Sequence, residues 1–136
     1  MVAMALDPRE TLANLIKKEK LKGHHSPEGQ AIRAFSRVLS GWVAGNFSAL
    51  DVLVVCEQGI EDWLKARLNV KPWSSRGIPE LLAKAIESQL VMQLDAVRLQ
   101  KMHLTRVRLD DTEESGTAHE AESALELCIR VVERHW

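Results

Sequence analysis

The chain has 136 residues, 46% hydrophobic and 27% charged, with 18 Lys and Arg against 19 Asp and Glu and a formal net charge of -1. That length suits one domain with a real core. The balanced charge excludes a global field drawing the protein to nucleic acid or an anionic membrane, so any such contact needs a local patch. No run approaches the roughly 20 apolar residues of a membrane span, and no signal peptide is visible in the short apolar stretch before Asp7 and Pro8.

Asp7-Pro8-Arg9-Glu10 has the form of a helix start: a capping carboxylate, a proline suited to the first turn and an acid at the positive end of the dipole. Leu12, Leu15 and Ile16 mark its apolar face, and Gly23 ends it. Residues 1–25 therefore read as an N-terminal helix or arm. Ser26-Pro27-Glu28 starts a second helix with Ile32, Phe35, Val38, Leu39, Trp42 and Val43 at helical spacing, ended by Gly45-Asn46. A third begins near Ser48 and carries the clearest stripe in the chain: Leu53, Cys56, Ile60, Trp63, Leu64 and Leu68. The β-branched run Val52 to Val55 lies inside that helix.

Val70 to Gly77 is a loop, broken by Pro72 and Ser74-Ser75 and holding Trp73. A fourth helix starts at Ile78-Pro79-Glu80, with Leu81, Leu82, Ala85, Ile86 and Leu90 inward. It runs on, or bends, into a fifth segment with Leu94, Val97 and Met102 inward. Asp110 to Gly116 reads as an acidic loop. Thr117-Ala118-His119-Glu120 is a capping box, and the last helix shows Ala121, Ala124, Leu125, Cys128 and Val132. Residues 26–136 thus form one all-α domain, an antiparallel helical bundle; with the arm, the chain has five or six helices. Cys56 and Cys128 both lie on apolar faces, which points to buried thiols in a reducing compartment and makes the cytoplasm the expected location.

The residues with chemical potential are few. Arg98 and His103 place an always-charged guanidinium near an imidazole that titrates close to neutrality, a pair suited to metal-independent phosphoryl transfer on RNA. Lys101, Arg106 and Arg108 supply further positive charge for an RNA backbone. The plainer reading is a solvated basic face with one histidine. Residues five apart on a straight helix diverge by about 140° at roughly 100° per residue. The pair converges only if the helix ends or bends near His103, or if a second subunit completes the site. A second Arg-x4-His, Arg130 to His135, reads as cations favourable at a frayed helix C-terminus. His24 and His25, and the acids Asp110, Asp111, Glu113 and Glu114, lack the spacing of a metal site. No metal or other cofactor is expected.

The order of features resembles the HEPN family, small helical bundles named as the nucleotide-binding domains of higher eukaryotes and prokaryotes. The resemblance rests on Ala31 to Gly45, Asn46-Phe47-Ser48-Ala49-Leu50, and Cys56 to Ala66 with its Glu and Leu-Lys-Ala. Arg98 to His103, the acidic loop and Thr117 to Arg134 then follow in order. It spans roughly residues 26 to 134. It implies a metal-independent endoribonuclease of toxin or defence type, acting as a homodimer in which Arg98 and His103 of both subunits meet. The family's residue after the motif arginine is usually polar; here it is Leu99. Inactive relatives are dimerisation or binding modules beside a protein partner such as an antitoxin or a nucleotidyltransferase, and that is the alternative the resemblance implies.

Overall fold

A computed structural model describes residues 26–135 together with Asn14. The expected helix over Asp7 to Gly23, the His24-His25 pair and Trp136 lie outside the described residues. Five helices follow in order: α1 (Pro27–Val43), α2 (Ala49–Arg67), α3 (Ile78–Glu87), α4 (Gln93–Thr112) and α5 (Ala118–Glu133). Among the described residues there is no strand. The architecture is the all-α helical bundle that the sequence predicts.

The helix starts follow the capping residues. Ser26 accepts from the Gly29 amide, and Pro27 opens α1. Ser48 and Asp51 form a reciprocal capping box on α2, as do Thr117 and Glu120 on α5. Each box occupies two backbone donors that the helix itself leaves free. The Thr117 amide and the Arg108 guanidinium hold the Glu120 carboxyl below its ordinary pKa.

Helices α1, α2 and α5 pack on one another, and α4 closes the bundle against α2, α3 and α5. The core is aliphatic, with Phe35 and Trp63 as its large aromatic members. Phe35 is fully buried beside Gly59, where a β-carbon would stand 2.9 Å from the ring. Glycine at that position lets α1 and α2 approach around the ring. Cys56 and Cys128 are free and fully buried, with the Cys128 sulfur 3.6 Å from Met102 Sδ. Burial pushes the Cys128 thiol well above its ordinary pKa.

Several expectations need correction. The fourth and fifth segments are separate helices, divided by a turn over Ser88–Met92. Asp110, Asp111 and Thr112 are the last turn of α4, and only Glu113 to Gly116 form the connection. The Arg106–Asp110 pair one turn apart, and the Thr112 hydroxyl bonded to the Arg108 carbonyl, carry the helix through this polar stretch. Trp42 is half-buried at the core edge. Val43 and Ile86 are exposed, as are Leu94 and Val97, which the periodicity placed inward. The inward residues of α4 are Asp95, Ala96, Leu99, Met102 and Leu109.

Candidate functional site

Helix α4 carries every sequence-predicted site residue, and it runs unbroken through all of them. The helix does not end at His103, so the 140° divergence stands. His103 and Arg98 lie on different flanks of the helix, and one chain does not bring them together.

On one flank, His103 is half-buried against α2. Its Nδ1 meets Glu57 Oε1, and the same carboxylate accepts from Arg106 Nε at 2.6 Å and from Arg106 Nη2 at 3.2 Å. Arg106 Nη1 continues to Asp110 at 2.8 Å. Glu57 and Asp110 raise the Arg106 pKa above its already high ordinary value. Glu57 is buried, so its charge is stabilised by these two donors and not by water. With Nδ1–H donated to the carboxylate, His103 Nε2 lies outside that pair. Among the described residues, the cation beside His103, Arg106, is already paired. Arg106 has its fork committed to Glu57 and Asp110, and Arg108 pairs with Glu120 at 2.8 Å. Of the three residues predicted to hold RNA, only Lys101 has no ion pair among the described residues.

On the other flank, Arg98 and Lys101 line a groove of about 570 Å³ between α4 and α5. Leu53, Met102, Ala124 and Leu127 supply its apolar surface, and Arg130 adds a third cation from α5. Arg130 Nη2 pairs with Glu126 at 2.6 Å, while its Nε is buried with no acceptor. His119 and Ser123, 3.5 Å apart, complete the α5 wall.

A third face of α4 points directly away from the core. Leu94, Val97 and Leu104 stand on it 56%, 60% and 55% exposed. Their spacing of three and seven residues puts them in one stripe, which the exposed Lys101 interrupts four residues after Val97 and three before Leu104. Periodicity did not separate this stripe from the inward one, because α4 is apolar on two opposed faces.

The end of α5 is anchored, not frayed. Arg134 pairs with the buried Asp95 in the first turn of α4. The His135 ring lies 5.2 Å from that of Trp63 at an interplanar angle of 49°. The Trp63 indole N–H donates at 2.7 Å to the buried Glu28, which also holds Arg67. Burial first, and then the charges of Arg67 and Arg134, lower the His135 pKa. Three buried carboxylates, Glu28, Glu57 and Asp95, were not found from the sequence. The signal was position: Glu57 follows Cys56 of the α2 stripe, and Glu28 lies one turn before Ile32 of the α1 stripe.

Among the described residues, no group of three or more His, Cys, Asp or Glu is placed to hold a metal ion, and no helix is long and apolar enough to cross a membrane. No family model, curated protein or solved structure matches the chain.

Proposed function

We propose that the chain is a non-catalytic, HEPN-like interaction module that pairs with a second copy of itself through the outer face of α4. The observation that carries this reading is the Leu94, Val97 and Leu104 stripe. A helix buried on one face and apolar on the opposite one is suited to burial on both. A two-fold axis across the stripe apposes it to its own copy, with Leu94 of one copy against Leu104 of the other and Val97 against the Lys101 stem. The local chemistry agrees with a binding role. Arg98 and His103 diverge, and Arg106 is spent on internal ion pairs. The test is the mass in solution: a dimer for the native chain and a monomer for Val97→Asp.

One observation favours the second reading, a metal-independent endoribonuclease. Glu57 orients His103 as a carboxylate orients a catalytic histidine. Arg98 of the second copy would then have to supply the phosphate contact. Incubation of the pure protein with mixed RNA in EDTA, beside the Arg98→Ala/His103→Ala double variant, separates the two. Cleavage by the native chain alone supports the ribonuclease; no cleavage by either supports the module.

A further inference from the structure

The groove between α4 and α5 adjoins the outer stripe and shares only Lys101 with it, and the proposed pairing leaves its chemistry unexplained. Its surface combines an apolar floor, from Leu53, Met102 and Leu127, with three cations, Arg98, Lys101 and Arg130. Arg98 and Lys101 are exposed and have no ion pair among the described residues. Arg130 holds Glu126 with one nitrogen, yet keeps a buried Nε with no acceptor. A buried donor without a partner is uncommon in a folded protein. Here it lies in the wall of an open groove, where an incoming carboxylate can reach the same guanidinium. The acids on this wall are already committed: Glu120 to Arg108 and the Thr117 cap, Glu126 to Arg130. The groove therefore presents positive charge above a greasy floor.

We propose that this groove is a docking site for an acidic amphipathic helix of a protein partner. Two helix walls with an apolar floor accept leucine-type anchors spaced three, four and seven residues apart. The rim cations match glutamates or aspartates flanking those anchors, and complementary charge fixes orientation and rejects basic segments. Nucleic acid is the weaker fit. Single-stranded RNA is held by stacking successive bases on aromatic faces, and His119 is the one ring among the groove's lining residues. The inference goes beyond the pairing proposed above and does not depend on it.

The test uses a fluorescein-labelled helical peptide about four turns long, with leucines on one face and glutamates beside them. A peptide with lysine in place of every glutamate, a scrambled peptide and a labelled oligouridine serve as comparisons. Fluorescence anisotropy is expected to show saturable binding of the acidic peptide alone. Arg98→Glu/Lys101→Glu, at exposed positions that leave the core intact, is expected to weaken it about tenfold or more, and added salt to weaken it further. Amide NMR shifts on the native protein, which need no variant, are expected to concentrate at residues 98–105 and 119–130. Binding of the scrambled peptide with equal affinity, binding of oligouridine in place of the peptide, or shifts confined to the His103 flank would each overturn the proposal.

Discussion

Replacing Glu57 by alanine removes one carboxylate that two side chains share. Breaking a buried ion pair by deleting one partner costs about 3–5 kcal/mol, because the other charge is left without compensation. Glu57 is well buried, its side chain 11% exposed, but the Arg106 side chain is 26% exposed and keeps Asp110. Water and Asp110 recover part of the loss, so about 2–3 kcal/mol is expected for Glu57→Ala. For a domain of this size, each kcal/mol moves Tm by roughly 3–5 °C, which gives a fall of roughly 6–15 °C. His103→Ala removes one donor and leaves Glu57 bound to Arg106, so it costs only about 1 kcal/mol. A double-mutant cycle between Glu57→Ala and Arg106→Ala is expected to return a coupling above about 1 kcal/mol. Thermal melts followed by circular dichroism measure all three. A fall of less than about 2 °C for Glu57→Ala would refute the argument, since the carboxylate would then be no better placed in the protein than in water.

Gly59→Ala gains helix propensity of about 1 kcal/mol but drives a methyl into the immobile Phe35 ring. A net loss of about 1–2 kcal/mol is expected, read by urea unfolding. Because the His135 pKa is lowered in the fold, the unfolded chain takes up its proton first as pH falls through the ordinary value of 6.5. Stability from this residue is complete above that pH and is lost below it, down through the lowered folded pKa. His135→Gln is expected to flatten that part of the stability–pH curve in denaturant titrations. Cys56 and Cys128, fully buried, are expected to react with a thiol reagent only at the rate of global opening, and in full once denatured.

Much of the fold was legible because its determinants are local. Ser26-Pro27, Ser48 and Thr117 with Glu120 each satisfy backbone donors within three residues, so sequence alone places the starts of α1, α2 and α5. The stripe of α2 is equally plain, since only one face of that helix is continuously apolar. Helix α4 was misread for a physical reason. Its inward set, Ala96, Leu99, Met102 and Leu109, is interleaved with the outward Leu94, Val97 and Leu104. Two opposed apolar faces blur the period that distinguishes inside from outside. The last turn of α4 looked like a loop because its composition is acidic. What holds it is a side-chain pair, Arg106 with Asp110, that composition does not report.

The candidate site was less legible than the bundle. The Glu57–His103 contact joins residues 46 positions apart, and nothing local marks Glu57 as buried. The same holds for Glu28 with Arg67 and for Asp95 with Arg134. Each is a long-range pairing in which a carboxylate near an apolar stripe is neutralised by an arginine from another helix. The Arg98 to His103 spacing was visible, and so was its geometric weakness. The unbroken course of α4 through both residues weighs against the pair within one chain and moves the weight from the basic face to the apolar one.

The most direct test of the account is the solution mass of the native chain by light scattering or sedimentation over a wide range of concentration, beside Val97→Asp and Leu104→Asp. A dimer is expected for the native chain and monomers for both variants, with melting curves of the monomers showing an intact fold. A native chain that remains monomeric at every concentration, or variants that dimerise as well as the native chain, would contradict it.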